Sequence, residues 1–516
     1  MKKIFSLISV IILAFILVAC GGGNKKGDLT IFLYQEQVVY NKDMPVFKTV
    51  NDQLGINLRG YLQRYDSDYR NRFTTGGFRS NLVIYDQDTI ESYGFNGTYI
   101  DLTDLIDTHA PNIKSFFDAN PEQKAWATAS DGKIYGVPFY TDGSTAKAYF
   151  VRKDWVDTLR AANKLTNIPE DLNTLTVLDF ENLLKAFKDN RQLLTTQANI
   201  YPFFDQDEDF WISELASLWH ATGEFYVSSE NEVEFGPIQP EFKTAVENIA
   251  RWMELGLIDP NILDGSKNDD RQTYFARNVG GATRGWIGTT YSFNDDVYSD
   301  IMVDGFEVVA IAPPTRSDDT KLEPTIRKEI GKVGAIYSGT TEADQIKLIK
   351  WMDYYFSEAG QELLNFGILN ETYTKDGENF TYTDKILNDN ATATANLYKY
   401  GAQLQSPGIQ NFAYEAAWLS PEAVAAMELY VDNGYLDYGY TKLIYPNIKL
   451  SRQEYADVNA ARTQITNELN QQLYQWIVNK QASKGISQTD WDQFVNLMNQ
   501  SGAQKIIDIY QQHINQ

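Results

Sequence analysis

Three apolar stretches decide the fold: LTIFL at Leu29–Leu33, INLRGYL at Ile56–Leu62 and LVIY at Leu82–Tyr85. The first and third are short apolar runs without polar alternation, the pattern of buried strands. In the second, Ile56, Leu58, Gly60 and Leu62 fall on alternate positions, the period of a strand. Between the first two, Met44, Phe47, Val50 and Leu54 recur at helical spacing, and Asp66 to Phe73 is compatible with a helix. Strand, helix, strand, helix, strand with short links predicts parallel pairing through right-handed crossovers. The fold class is therefore α/β, beginning with an open sheet. Such sheets bind ligands outside the carboxyl ends of their strands. Gln35 and Glu36 follow the first strand, and Tyr85, Asp86 and Asp88 end or follow the third, which makes all five candidate site residues. Asp88 also suits a helix N-cap.

Beyond this sheet the chain is helix-rich. Thr176 and Asp179 are spaced as a capping box before Phe180, Leu183, Leu184 and Phe187. Phe242, Ala245, Val246, Ile249 and Met253 form one apolar face, and Gly256 suits the C-terminal cap. Phe306–Ile311 and Val333–Tyr337 read as strands, the former stopped by Pro313 and Pro314. Thr341 caps a helix carrying Ile346, Ile349 and Met352, and Ser420 caps one with Pro421 at its first position. Ala461, Ile465, Leu469, Leu473 and Ile477 recur every four residues, and Ser487 with Asp490 opens the last helices.

The chain has 516 residues, of which 43% are hydrophobic and 22% charged, values of ordinary globular proteins. Its net charge of −24 opposes nucleic-acid binding, which needs a basic surface. The single cysteine, Cys20, and three histidines exclude cysteine metal clusters and disulfide frameworks. Asp205, Asp207 and Asp209 imitate the start of a calcium loop. Phe210 replaces its glycine, however, and Ala216 its final glutamate, so the segment reads as a solvated acidic turn. No nucleophile elbow of the form G-x-S-x-G is present. No metal or cofactor is expected.

At the N-terminus, Lys2 and Lys3 precede the apolar run Ile4–Val18, and Leu17-Val18-Ala19-Cys20 follows its pattern to the cysteine. This resembles the bacterial lipobox, which implies removal of residues 1–19 as a signal peptide and diacylation of Cys20. Two acyl chains suffice for stable anchoring. Residues 20–27 have tether composition, and the mature chain is expected on the outer face of the cytoplasmic membrane.

Three further stretches carry a family resemblance: DGKIYGVPFYTDGSTAKAYFVRKDW from Asp131 to Trp155, IKWMDYYFSEAGQELLNFGILNETYT from Ile349 to Thr374, and GISQTDWDQFVNLMNQSGAQKIIDIYQ from Gly485. Together they resemble the family 1 extracellular solute-binding proteins of ABC sugar importers, in the long Gram-positive lipoprotein branch that binds oligosaccharides. The resemblance implies a periplasmic-binding-protein-like fold of two α/β lobes with a ligand cleft between them, the second lobe helix-rich. It places the crossings near Tyr140–Thr145, after Phe306–Ile311 and near Thr341. The first lobe is then 28–141 plus 312–340 and the second 142–311 plus 341–516. The implied activity is capture, not catalysis, by a monomer whose partners are an oligosaccharide and a membrane permease.

A sugar offers hydroxyls that donate and accept, and apolar C–H faces, so its site needs carboxylates and amides beside exposed rings. Tyr85, Asp86 and Asp88 supply such a set, and relatives carry an aromatic and an Asp at the corresponding strand end. Tyr140 and Asp142 lie at the first implied crossing, and Asp142 also suits a turn. Trp286 follows the strand-like Val279–Thr283, where relatives place a stacking tryptophan. Trp211 and Trp219 share a helical face, one for the ligand and one for the core, and Trp418 precedes the Ser420 cap. Trp252, Trp351, Trp476 and Trp491 sit in amphipathic helices as core, and Arg152 reads as structural. Some alginate- and fructan-binding relatives carry an Asp/Asn-rich calcium loop where this chain has Asp189-Asn190-Arg191-Gln192-Leu193, a departure that argues against that site. Two rivals compete with this reading. An extracellular glycoside hydrolase needs two carboxylates ~5–5.5 or ~6.5–9.5 Å apart. A peptide-binding lipoprotein has a similar lobed cleft.

Overall fold

The structure is a computed structural model that describes residues 28–35, 38–60, 79–141, 146–205, 215–260, 271–289, 294, 303–324, 330–377, 379–387, 393–411, 413–437 and 448–514. Cys20 and its flanks, Glu36, the Asp66–Phe73 segment, Asp142 and Trp211 lie outside the described residues.

Along the chain run β1 (Leu29–Gln35), α1 (Pro45–Leu54), β2 (Leu58–Gly60), β3 (Leu82–Asp86), α2 (Gln87–Gly94), α3 (Pro121–Ala127) and β4 (Val137–Thr141). Then come β5 (Lys147–Arg152), α4 (Val177–Asp189), β6 (Tyr201–Phe204), α5 (Pro240–Glu254), β7 (Gly280–Trp286) and β8 (Val308–Ile311). The remainder supplies β9 (Ile330–Ile336), α6 (Glu342–Tyr354), α7 (Glu358–Phe366), β10 (Gly408–Gln410), α8 (Pro421–Asp432), α9 (Arg452–Leu473), α10 (Gln488–Gln500) and α11 (Ala503–Ile514).

The first sheet has the order β10-β4-β9-β3-β1, with β2 on the far side of β1 and Val38–Val39 folded back on its end. As the sequence predicts, β1 is parallel to both β2 and β3, with Ile31 opposite Leu82 and Phe32 opposite Val83. Alternate residues feed two apolar layers: Ile31, Leu33, Leu82 and Ile84 on one face, Phe32, Val83 and Val333 on the other. The second sheet has the order β8-β5-β7-β6. Every residue of β5 is buried, with Tyr149 and Val151 packing on one side and Ala148 and Phe150 on the other.

Several local signals hold. Thr176 and Asp179 form the capping box of α4, and Thr341, Ser420 and Ser487 each accept a backbone N–H at the start of α6, α8 and α10. Trp252, Trp351, Trp476 and Trp491 are core residues. Arg152 is buried, paired with Asp154 and stacked on Trp155 and Phe306, a structural role. Trp219 packs edge-on against Trp252, on the core side. Gly256 follows the α5 cap at φ +64°, the left-handed conformation glycine adopts without strain.

The packing redraws the expected lobe boundaries in two places. Residues 312–324 do not join the first sheet. The backbone of Ala312 donates to Asn173, that of Thr315 to Leu175 and that of Glu323 to Tyr435, and Glu323 forms a buried ion pair with Arg284 of β7. These polar ties hold the segment on the second sheet's side, and the chain returns to the first between Pro324 and Ile330. Conversely, residues 341–404 belong with the first core. Leu348, Ile349, Trp351 and Met352 of α6 are buried there, and the Trp351 indole donates to Asn51 of α1 at 3.1 Å. Asp353 accepts the backbone N–H groups of Asn112 and Ile113 at 2.8 Å each, closing a helix start that has no side-chain cap of its own. The last crossing therefore falls after Trp418, which packs on the first core, and before Ala423, Ala426 and Tyr430 of α8, which pack with Ala148 and Phe150.

Candidate functional site

In the first sheet β1, β3, β4 and β10 run one way and β9 runs against them, so their ends share one edge. That edge carries Gln35, Tyr85, Asp86, Lys332 and Tyr140, with Asp86 directly opposite Lys332. Asp86 occupies the N-cap position of α2 without a side-chain cap bond, and Asp88 lies in the first turn, so Asp88 is not the cap. Both carboxylates are exposed, and Tyr85 is half-buried against Phe32 at a ring separation of 6.4 Å. Tyr140 departs from expectation. Its ring is 9% exposed and packs on Phe116 at 5.1 Å, so it supports the edge from within more than it lines it. Of Gln35 only the backbone position is described.

In the second sheet β7 ends where β5 begins, with Trp286 directly opposite Lys147. Trp286 is therefore the last strand residue and does not follow the strand. It is 36% exposed although the adjoining Ile287 is buried. The backbone N–H of Ile287 donates to Ala146 at 3.0 Å, which locks this register. The chain passes from Thr141 to Ala146 in five residue steps, a reach of at most ~18 Å. That short link keeps the end of β4, on the carboxylate-bearing edge of the first sheet, near the start of β5, where Trp286 ends the neighbouring strand.

Contacts outside the sheets tie the two sides as well. Tyr455 of α9 reaches the first lobe. Burial pushes its phenol up to about 12, the Asp88 and Asp86 carboxylates add to that shift, and Thr89 of α2 and Asn459 oppose it. Lys449 donates to the carbonyls of Ala125 and Trp126 at the end of α3. Gln87 bridges the same Trp126 carbonyl and Glu91, each at 2.7 Å. Burial raises the Glu91 carboxyl to about 7 and lowers Lys449 to about 8, and their attraction opposes both shifts. A groove of about 670 Å³ opens beside this contact between α3 and the start of α9. Sequence reasoning missed Tyr455, Lys449 and Glu91. Glu91 and Tyr455 lie in helices and Lys449 in the segment before α9, all of them residue types that are ordinarily solvated, and contacts with distant parts of the chain bury them in part.

Trp418 lies at the last crossing, half-buried on the first core. Its indole N–H is buried with no hydrogen-bond partner among the described residues. A buried donor of this kind calls for an acceptor. Where the family resemblance places a calcium loop in some relatives, α4 ends at Asp189 and a short helix, Arg191–Leu194, follows at once. The segment is thus helical backbone and not an acid-lined loop. Asp205 is buried at the end of β6 and not solvated as expected; the rest of that turn lies outside the described residues.

No family model matches the sequence. The fructooligosaccharide ABC transporter substrate-binding protein FusA of Streptococcus pneumoniae is 22% identical over 448 residues, covering 81% of this chain and 76% of the relative. The crystal structure of the alginate-binding protein AlgQ2 without calcium ion superposes with a TM-score of 0.80 at 26% identity, covering 95% of this chain and 98% of that one. FusA in complex with kestose gives a TM-score of 0.73 at 18% identity, over 95% and 99% of the two chains. Two α/β sheets joined by short crossings, and a likeness that spans almost the whole chain, give this protein the fold of the ABC-transporter solute-binding proteins.

Proposed function

We propose that the protein captures an oligosaccharide between its two lobes and hands it to an ABC permease, acting as a binding protein and not as an enzyme. The observation that carries this reading is the exposed indole of Trp286 on one sheet edge, set against the exposed carboxylates of Asp86 and Asp88 on the other. The ring offers a face for sugar C–H groups, and the carboxylates accept from hydroxyls. Tyr85, Gln35, Glu36, Tyr140, Asp142, Trp211 and the unpaired indole N–H of Trp418 complete the proposed site. FusA is named for fructooligosaccharide and AlgQ2 for alginate, which supports a glycan in place of a peptide.

The lobes in this reading are 28–141 with 330–418, and 146–324 with 419–514. Contacts from both lobes exist together only when the cleft is shut, so ligand shifts the equilibrium toward closure. Diacylated Cys20 would hold the monomer at the outer face of the cytoplasmic membrane, beside the permease. The test is calorimetry and native mass spectrometry of the mature chain with kestose, alginate oligosaccharides and a peptide mixture. Retention of an intact oligosaccharide is expected. A cleaved product, or retention of peptides alone, refutes the reading. Replacing Cys20 by Ala is expected to release the chain from the membrane fraction, and normal processing with full retention removes the anchor.

A further inference from the structure

A pocket of about 530 Å³ opens in the second lobe at the start of α5, and its wall carries His220, Tyr226, Glu234, Glu241 and Arg316. Its place relative to Trp286 follows from the topology. From the pocket α5 runs to Glu254, and Ile258 then pairs in parallel with Phe203 of β6. A helix that leads into a strand parallel to β6 starts at the carboxyl end of β6. β7 is parallel to β6 and ends at Trp286, so pocket and tryptophan share one edge of the second sheet. They also share a face. Alternation along β5 puts Lys147, and Trp286 directly across from it, on the side of Tyr149 and Val151, which pack in one core with Phe242 of the pocket wall. A short path joins the two. Leu322 of the wall adjoins Glu323, Glu323 pairs with Arg284, and Arg284 precedes Trp286 by two residues, ~7 Å of strand.

The wall offers both signs of charge and both senses of hydrogen bond. The Arg316 guanidinium is held by the Thr320 hydroxyl at 2.6 and 2.8 Å, and the His220 ring lies 3.0 Å from the Ser317 hydroxyl, so one loop, 316–320, places both. Glu234 accepts the Tyr226 hydroxyl, and Glu241 lies in the first turn of α5. Carboxylates beside a guanidinium suit neither an anion nor a cation. They suit hydroxyls, which donate to the one and accept from the other. The half-buried ring of Tyr226 supplies apolar surface for a C–H face. We propose that this pocket is a further subsite for a neutral sugar unit, taking the end of an oligosaccharide that also reaches Trp286. This rests on the oligosaccharide reading of the cleft. It adds a preference for length: a short ligand engages the Trp286 edge alone, and a longer one gains the pocket contacts as well.

Two measurements test this. The first is calorimetry with fructooligosaccharides of increasing length, from kestose upward. Glu241→Ala and His220→Asn are each expected to weaken binding by a factor that grows with ligand length and reaches about tenfold, with the melting temperature unchanged. Asparagine is chosen because residue 220 has φ +64°, a conformation asparagine tolerates. No loss at any length, or the same loss at every length, overturns the proposal. If either variant fails to fold, Tyr226→Phe takes its place. The second measurement follows the three histidine rings of the chain, labelled with carbon-13, by NMR. The signal of His220 is identified by its loss in His220→Asn. It is expected to move as the longer oligosaccharides are added, and an unmoved signal at saturation overturns the proposal. If no oligosaccharide binds, the reading of the cleft fails, while titration of the same signal with free fructose and glucose still decides the pocket. A saturable shift that Glu241→Ala abolishes upholds the subsite, and the absence of a shift removes it.

Discussion

Replacing Trp286 by Ala tests the site most directly, and the structure sets the size of the effect. A tryptophan side chain carries ~150–250 Å² of surface. With the residue 36% exposed, ~55–90 Å² is available to a ligand. At ~25 cal/mol per Å² that area is worth ~1.4–2.2 kcal/mol when a sugar face covers it. Tenfold in affinity corresponds to ~1.4 kcal/mol, so binding is expected to weaken about ten- to fortyfold. The fold should tolerate the change, because the strand register is held by Ile287 and Ala146 and the ring lies at the sheet edge. Titration calorimetry with kestose or an alginate oligosaccharide gives the first quantity and differential scanning calorimetry the second. Unchanged affinity would place the ring outside the cleft. A melting temperature lowered by much more than ~3 °C would show that the indole serves the core.

Three further outcomes follow from contacts away from the ring. Burial alone would raise the Glu181 carboxyl, but hydrogen bonds from Arg251, Lys185 and Trp252 outweigh it and hold it at about 2. A depressed carboxylate stabilises the folded state above its unfolded value and loses that contribution as pH falls toward 2. Because Arg251 and Lys185 are partly exposed, ~2 kcal/mol is expected; denaturant titrations of Glu181→Gln should show that deficit at pH 6 and little of it near pH 2, and a pH-independent deficit contradicts the assignment. Glu323→Gln leaves Arg284 charged, with both partners at most 1% exposed, and should cost ~3–5 kcal/mol; a variant as stable as wild type would mean the pair is not buried in solution. Lys449→Met removes donors to the Ala125 and Trp126 carbonyls, so the ligand-free chain is expected to open and its radius of gyration to rise; an unchanged scattering profile removes this contact from the open–closed balance.

The sequence alone determined whatever depends on neighbours along the chain. The runs at Leu29–Leu33 and Leu82–Tyr85 are apolar throughout, which only a strand covered on both faces requires, and they appear as parallel neighbours. Thr176, Thr341, Ser420 and Ser487 begin helices because a side-chain oxygen three residues before a free backbone N–H is a local device. The strand-end position of Asp86 was legible for the same reason, whereas the sequence places Trp286 three residues beyond a strand that in fact runs through it. Only the tertiary structure decided which lobe each helix joins. The apolar face of α6 fits either core by pattern. It is the match of Trp351 to Asn51, and of Asp353 to a helix start 240 residues earlier, that assigns it to the first. Likewise 312–324 is set on the second sheet's side by distant partners such as Asn173 and the buried Arg284, which pairs with Glu323 from 39 residues away. Tyr140 shows the reverse case, since its place at the edge was legible but the direction of its ring was settled by Phe116. Lys147, Lys449 and Tyr455 read as ordinary solvated residues, because a charge or hydroxyl becomes a site feature only when another element removes its water, and burial by a distant element leaves no local mark in the chain.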